Sequence, residues 1–248
     1  LFQQLPLELH FKILRRIDTK TALNCRAVCR RWNRIINRIA KRSELFKPLE
    51  LSRLTLTGLP HKALEIRWIA YEAQRSSSFI LPHAMIRHRV DLAFNFAQFK
   101  VQRIILQNLA LTDEFVDFLR LQLAHADLSP LVQLSLNGVD FSQSNSSTLH
   151  RLLAPLAKSL EIFELNQSTG MKPDSLTDSH LAQLDATKIR RIAIDGVRFA
   201  NSHRCATLCV GDESLRRFAL QKSFPSLVLD RCAVTTGVIC DYTEVRPS

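Results

Sequence analysis

Glycine is scarce in this chain, with six among 248 residues. Loops that cradle phosphate depend on glycine, and neither a P-loop nor a GxGxxG sequence occurs. The GxSxG and HExxH patterns of hydrolases and metalloproteases are also missing. His83, His88 and His203 lie near basic residues rather than near carboxylates that could orient them. We therefore predict no catalytic residue and no cofactor, which argues against an enzyme.

Long hydrophobic runs are missing as well. No stretch approaches the roughly eighteen uncharged apolar residues that span a bilayer. The N-terminus has no hydrophobic run before a small-residue cleavage site. We expect no membrane segment, no secretory signal and hence a cytoplasmic or nuclear protein. Apolar residues make up 46% and charged residues 23% of the chain, so we expect an ordinary globular protein rather than a disordered one.

The cysteines lack the CxxC spacing of zinc ribbons and redox sites. The six are Cys25, Cys29, Cys205, Cys209, Cys232 and Cys240. We predict buried free thiols in a reducing compartment and no metal site. A metal site with His203, Cys205 and Cys209 as three of its ligands is the less favoured alternative.

Positive charge is concentrated at the N-terminus. The formal net charge of the chain is +11. Residues 1–50 hold 12 basic and 4 acidic side chains, a net charge of +8, whereas the remaining residues hold 22 basic and 19 acidic side chains, a net charge of +3. This distribution favours an acidic partner for the first fifth of the chain.

Residues 6–18 predict an amphipathic helix that begins at Pro6, whose missing N–H is not needed in a first turn. Its apolar side chains cover roughly 200° of the circumference, twice the roughly 100° that a helix needs to cover its own core. They are Leu7, Leu9, Phe11, Ile13, Leu14 and Ile17. The surplus apolar arc either packs on the following domain or contacts another protein. We expect Leu9 to lie in the helical core.

Two more helices are predicted after this one. Asp18 or Thr19 can cap a short helix at residues 20–27, with Leu23 pointing inward. A third helix at residues 28–41 has one apolar side and one arginine-rich side. The arginines are Arg26, Arg30, Arg31, Arg34 and Arg38. Spacing alone leaves two interpretations open, a solvated face or a phosphate-binding face like that of a DNA-recognition helix.

The residue order in residues 5–36 resembles the F-box. The family pattern is Leu-Pro-x-Glu-Leu, then Ile-Leu, an acidic residue before a Leu-bearing turn, and Val-Cys-x-x-Trp. The matching residues are Leu5, Pro6, Glu8, Leu9, Ile13, Leu14, Asp18, Leu23, Val28, Cys29 and Trp32. Ile17 stands where the family often has Leu.

This resemblance implies a three-helix F-box at residues 1–45 that binds a strongly acidic Skp-family adaptor and, through it, a cullin. The residues that it places at the adaptor are Leu5, Pro6, Leu9, Ile13, Leu14, Leu23, Val28, Cys29 and Trp32. The net charge of +8 in residues 1–50 is independent of the pattern and agrees with an acidic adaptor. Nucleic-acid binding by the arginine-rich face of residues 26–42 is the alternative.

After Pro48 the spacing L-x-x-L-x-L-x-x-L recurs. Its clearest copies begin at Leu51, Val101, Leu131, Leu160, Ile189 and Leu215, and a compressed copy begins at Phe224. From Val101 to Leu215 the first positions are 30, 29, 29 and 26 residues apart, a period that is typical of a solenoid. Roughly residues 49–235 resemble degenerate leucine-rich repeats, and we assign residues 46–248 to this target-binding region. The predicted fold class is therefore α/β, with the F-box followed by an irregular leucine-rich-repeat-like solenoid of short parallel strands and helices.

Helices are predicted between the strands at residues 112–125, 147–159, 176–186 and 202–210. Pro155 predicts a kink or an early end in the second of them. Residues 60–100 fit the repeat poorly. Trp68 and Tyr71 indicate a helix there, and the alternation from Val90 to Phe96 indicates a strand.

In such a solenoid the leucines face the core and the residues between them face a concave wall. Most of these wall residues are polar, and we predict that they bind a target protein. The predicted target-binding residues are Arg103, Gln133, Asn137, Glu164, Arg191, Asp195 and Arg217. The alternative is a polar surface without a ligand. The sequence as a whole predicts a non-catalytic substrate receptor of a ubiquitin ligase.

Overall fold

The structure is a computed structural model. Its described residues are Pro6, Leu9, Lys12, Ile13, Ile35 and residues 49–71, 76–89, 99–124, 126–200, 206–219 and 226–234. Leu9, Lys12, Ile13 and Ile35 are helical, as the sequence predicted. The rest of the three predicted N-terminal helices lies outside the described residues.

A large, mostly parallel sheet organises the region after residue 48. Its strands are β1 (Leu49–Gly58), β2 (Leu64–Ala70), β3 (Ser76–Leu81), β4 (Phe99–Val101), β5 (Arg103–Gln107), β6 (Gln133–Asn137), β7 (Ile162–Asn166), β8 (Arg191–Asp195) and β10 (Ser226–Leu229). Among the described residues they follow the order β10-β8-β7-β6-β5-β1-β2-β3, with β4 also paired to β1. The pairs β1–β2 and β2–β3 are antiparallel, and the others are parallel. A separate pair joins β9 (Leu208–Gly211) to β11 (Cys232–Ala233).

Helices connect the parallel strands. They are α1 (His83–Arg87), α2 (Asp113–Leu123), α3 (Ser146–Leu153), α4 (Asp178–Leu181) and α5 (Asp212–Ala219). Short 3-10 turns lie at Pro60–Lys62 and Pro173–Ser175. No helix in the described part of the chain is long and apolar enough to cross a membrane.

The strand-turn unit recurs with nearly constant geometry from β5 to β8. Each of these strands is followed directly by a residue with positive φ, which turns the chain out of the sheet. These residues are Asn108 (φ 50°), Gly138 (φ 61°), Gln167 (φ 51°) and Gly196 (φ 61°). The same turn at each step keeps neighbouring strands in register, so that Gln133 lies between Arg103 and Ile162.

The apolar positions of the repeated spacing form the core. Leu134 and Leu136 on β6 are fully buried, and so are Phe163 and Leu165 on β7. Side chains alternate across a strand, so burial of these residues places their neighbours on the opposite face of the sheet. The helices complete the core with residues such as Phe118 on α2, which has no exposed surface.

The predicted helices at residues 112–125 and 147–159 are confirmed as α2 and α3. Thr112 caps α2 by accepting the backbone N–H of Phe115 at 3.1 Å. Helix α3 ends at Leu153, shortly before Pro155, as the proline predicted. Residues 176–186 contain only the four-residue helix α4.

Three predictions about secondary structure were wrong. Trp68 lies on β2, which forms an antiparallel hairpin with β1, and not on a helix. Residues 208–210 of the predicted helix at 202–210 belong to β9. The repeat expected to begin at Leu215 does not start with a strand, because Leu215 lies on helix α5. The strand of the sheet lies further along the chain, as β10. Residues 90–98, where a strand was predicted, lie outside the described residues.

A carboxylate joins α2 to α3. Asp113, the first residue of α2, accepts from Thr148 Oγ1 at 2.9 Å and from Arg151 at 3.2 Å. Arg151 also pairs with Asp117, which receives a second ion pair from Arg89 at 2.7 Å. These contacts fix the two helices relative to each other on the side of the sheet that carries the core.

A buried imidazole joins α4 to α3. His180 Nδ1 accepts the backbone N–H of Thr177 at 3.1 Å, and Nε2 lies 2.6 Å from the carbonyl oxygen of Ser146. A carbonyl can only accept, so Nε2 carries the proton and the ring is neutral. Burial lowers the pKa of His180, and the ring of His150, 6.1 Å away, acts in the same direction. The Ser146 carbonyl and Asp174 oppose this shift.

We expect the free energy of unfolding to decrease as the pH falls below about 6.5, the pKa of histidine in an unfolded chain. The unfolded chain then binds a proton that folded His180 resists, and this linkage favours unfolding. Denaturant unfolding between pH 7 and 5 measures the slope. His180→Gln should flatten it, whereas His150→Gln, at an exposed ring, should not. Equal slopes in all three proteins would contradict the assignment.

Candidate functional site

The side of the parallel sheet opposite the buried leucines is lined by alternate residues of each strand. We call it the open face. Its residues are Arg53, Thr55 and Thr57 on β1, Arg103, Ile105 and Gln107 on β5, Gln133, Ser135 and Asn137 on β6, Ile162, Glu164 and Asn166 on β7, Arg191, Ala193 and Asp195 on β8, and Ser226 and Val228 on β10. These are the positions that the sequence placed between the core residues, except on the last strand.

A network of polar side chains crosses four strands of the open face. Glu164 Oε2 accepts from Ser135 Oγ at 2.8 Å and from Gln133 Nε2 at 3.1 Å. Glu164 Oε1 accepts from Arg191 Nε at 3.2 Å. A terminal nitrogen of Arg191 donates to Ser226 Oγ at 3.3 Å. The network holds the predicted residues Gln133, Glu164 and Arg191 in place before any partner arrives.

This network is only partly covered by protein. The side chain of Arg191 is 42% exposed and that of Glu164 is 19% exposed. Ser135 and Ala193, in contrast, are buried at 1% and 2% exposure and form the floor between the longer side chains. The network therefore offers exposed charged and polar groups in fixed positions, with the small side chains of Ser135 and Ala193 beneath them.

A second row of polar side chains lies at the carboxyl ends of the same strands. Asn166 Nδ2 donates to Asn137 Oδ1 at 3.1 Å. Asp195 is the next residue in register and is exposed. Arg103 lies at the other end of the face, on β5, and is also exposed. The open face thus brings together six of the seven predicted target-binding residues.

The seventh, Arg217, does not lie on the open face. It belongs to α5, where its guanidinium donates to the carbonyl oxygens of Leu184 at 2.7 Å and Leu181 at 3.3 Å. It therefore satisfies carbonyls near the end of α4. The acidic first turn and the basic last turn of α5 stabilise a helix through its dipole. Phe218 is buried and anchors this helix to the core. The prediction that Arg217 lies on the wall beside the strand residues was wrong, because it lies on α5.

Three of the residues predicted at the adaptor fall among the described residues. Pro6 and Leu9 are exposed, and Leu9 retains 41% of its surface. The backbone N–H of Leu9 donates to the carbonyl oxygen of Pro6 at 3.1 Å, which forms the first helical turn. Ile13 is half-buried, while Ile35 is buried at 5% exposure. Leu9 therefore does not lie in a helical core, and that prediction was wrong.

The other predicted adaptor residues lie outside the described part of the chain. They are Leu5, Leu14, Leu23, Val28, Cys29 and Trp32. The exposure of Leu9 is consistent with the surplus apolar arc that the sequence predicted.

The two described cysteines differ from each other. Cys209 is exposed, which contradicts the prediction that it is buried. It lies on β9, where alternate side chains point away from the buried Leu208 and Val210. Cys232 is half-buried, and burial together with nearby carboxylates raises the pKa of its thiol to about 12. His203 and Cys205, the other members of the alternative metal site, lie outside the described residues.

A cavity of about 380 Å³ lies at the carboxyl ends of β1 and β5. Its apolar lining includes Leu64, Ile86 and Phe115, and its polar lining includes Lys62 and Glu114. Sequence reasoning missed it, because it depends on the hairpin of β2 that was predicted as a helix.

Comparison with known families adds one finding. The F-box-like family model matches residues 2–42. No curated protein matches the chain. An F-box-like region implies a substrate adaptor of an SCF-type (Skp–cullin–F-box) ubiquitin ligase, typically a non-catalytic subunit, and indicates binding to a Skp-family adaptor.

Proposed function

We propose that the protein is the substrate-recognition subunit of an SCF-type ubiquitin ligase. Residues 1–45 bind the Skp-family adaptor, and through it a cullin, while residues 46–248 recruit a target protein. The observation that carries this proposal is the F-box-like match at residues 2–42. The protein itself performs no covalent step, since its contribution is to hold the target near the ubiquitin-charged enzyme.

The adaptor surface is proposed to consist of the nine residues placed there by the family pattern. Leu5, Pro6, Leu9, Ile13, Leu14, Leu23, Val28, Cys29 and Trp32 form this set. The 41% exposure of Leu9 supports it, because a partner can bury an exposed apolar side chain. The net charge of +8 in residues 1–50 favours the acidic adaptor.

The region after residue 45 is proposed to be an irregular leucine-rich-repeat-like solenoid. The parallel order of β5 to β8 and the positive-φ residue after each of these strands support this interpretation. In a solenoid of this kind the open face is the concave wall, and concave walls are extended binding surfaces.

The target is proposed to bind on the open face through Arg103, Gln133, Asn137, Glu164, Arg191 and Asp195. The network around Glu164 supports this choice, because side chains that are already ordered lose less conformational entropy on binding. A partner that matches its fixed donors and acceptors gains specificity from it.

We expect the double substitution Glu164→Arg/Arg191→Glu to abolish target capture and to leave folding and adaptor binding unchanged. The swap keeps the ion pair and the net charge, but it reverses the polarity that a partner meets. Gln133 and Ser135 can accept as well as donate, so both stay bonded after the swap. Cross-linking and mass spectrometry of tagged wild-type and swapped protein identify the targets that are lost.

The neighbouring ion pair Arg190–Glu161, at 3.1 Å, provides the matched control. These residues precede β8 and β7 and lie off the open face, so Glu161→Arg/Arg190→Glu should retain every target. Loss of the same targets in both swaps, or loss of adaptor binding with the first, would contradict the assignment of the open face.

A further inference from the structure

Two arginines lie side by side on the open face, and neither pairs with a carboxylate of the described part of the chain. Arg53 on β1 and Arg103 on β5 precede Leu54 and Ile104, which are partners in the parallel pairing of these strands. Adjacent strands are about 4.8 Å apart, so the two side chains leave the sheet as immediate neighbours. Both are exposed, and within the described ranges neither forms an ion pair.

The other arginines of this face are neutralised. Arg191 pairs with Glu164 at 3.2 Å, and Arg67 on β2 pairs with Glu65 at 3.0 Å. Like charges on directly neighbouring strands repel each other and are unfavourable without a counter-charge. The face therefore carries an unbalanced positive area at Arg53 and Arg103, while the exposed carboxylate of Asp195 lies at its other end.

We propose that Arg53 and Arg103 bind the carboxylates of an acidic, glutamate- or aspartate-rich segment of the target protein. This inference rests on the proposed function, because it names the partner chemistry of the same face. Each guanidinium presents a planar fork of donors that matches one carboxylate. Two such forks on neighbouring strands suit two carboxylates of one segment, because each guanidinium can take its own carboxylate.

The charge distribution also gives the bound segment a direction. Its acidic part lies over β1 and β5, and any basic side chain lies toward Asp195 on β8. Between these ends lies the network around Glu164, which is already paired and does not compete for the acidic residues. Thr55 and Ile105, the next residues of the open face on β1 and β5, lie beside the two arginines.

The test uses the full chain and a fluorescein-labelled peptide of six glutamates flanked by Gly-Ser, followed by fluorescence anisotropy. Arg53→Gln/Arg103→Gln should weaken binding about tenfold, which corresponds to loss of two charge-assisted contacts at an exposed site. Arg87→Gln/Arg120→Gln removes the same two charges from exposed positions on α1 and α2 and should leave the affinity within about twofold of wild type.

Equal weakening by both pairs would show that net charge alone holds the peptide, and would overturn the proposal. Binding that survives both pairs would overturn it as well. A phosphoserine peptide that binds where the glutamate peptide does not would overturn the carboxylate as occupant. Adaptor binding by Arg53→Gln/Arg103→Gln should equal that of wild type. Failure of wild type to bind adaptor would refute the ligase role separately from the peptide result.

Discussion

Replacement of Pro6 and Leu9 by alanine should weaken binding to a Skp-family adaptor by roughly thirtyfold to thousandfold, or about 2–4 kcal/mol. Leu9 is 41% exposed, and Pro6 is exposed, so neither contributes much to the core. Truncation at such surface positions changes the free energy of unfolding by about 0.5 kcal/mol or less. At a buried interface the same atoms would be fully desolvated. Calorimetric titration with purified adaptor measures the loss, and thermal unfolding checks the fold.

Ile80→Ala is the matched control for this variant. Ile80 is the most exposed large apolar side chain among the described residues, at 63%, and it lies on β3, far along the chain from the F-box-like region. It should bind the adaptor like wild type. If Pro6→Ala/Leu9→Ala melts normally and also binds normally, the first helix is not the adaptor surface.

Gly58→Ala should destabilise the protein by about 3 kcal/mol, at the upper end of the usual cost of overpacking. A Cβ on Gly58 would lie 2.2 Å from the backbone oxygen of Asn108 and 2.8 Å from the Cα of Leu109. The backbone of Asn108 cannot easily move away from the added methyl group, because its N–H donates to the carbonyl oxygen of Asn137 at 3.0 Å. In a chain of this size the melting temperature should fall by roughly 6–12 °C.

Gly196→Ala is the control for Gly58→Ala, because it introduces backbone strain without a steric clash. Gly196 has φ 61°, but its added Cβ would meet nothing nearer than the Gln167 side chain at 3.4 Å. Its cost should be about 1 kcal/mol, the strain of a left-handed alanine. Similar melting temperatures for the two variants would show that β1 and the turn after β5 are not in tight contact.

The strands β5 to β8 could be predicted from the sequence because each carries a complete local signal. Leu134 and Leu136 alternate with polar residues and recur one repeat later as Phe163 and Leu165. The repeat can be recognised even where a polar residue occupies one of its apolar positions. Ser168 occupies an apolar position of the repeat and is fully buried, although its hydroxyl has no hydrogen-bond partner in the described structure.

The errors came from patterns that two structures share. Phe218 and Leu215 are three residues apart, which suits the leucine spacing of a repeat and also one face of a helix. The charges of Asp212 and Arg217, near the two ends of this segment, favour the helix. Which segment forms the last strand of the sheet, however, is determined by the long-range pairing of β10 with β8. In β2, Leu64 and Ile66 alternate as a strand requires, whereas the spacing of Trp68 and Tyr71 indicated a helix.

On β1 and β5 to β8 the open face was predictable residue by residue, but its charge pairing was not. The repeat period places Glu164 and Arg191 on neighbouring strands, and it places Arg53 and Arg103 there equally well. Which arginine finds a carboxylate depends on side-chain reach across the sheet, and the spacing does not contain that information. The exposure of Leu9 escaped prediction for a related reason, since a broad apolar arc does not show which part of it another segment covers.

Calorimetric titration of the wild-type chain with a purified Skp-family adaptor, with duplex DNA titrated in parallel, tests the proposed ligase role. This role predicts a one-to-one complex with the adaptor whose affinity changes by less than about tenfold between roughly 50 and 200 mM salt. It also predicts no comparable DNA complex. Absence of the adaptor complex, together with DNA binding that falls by about 10³-fold or more over the same salt range, would contradict it.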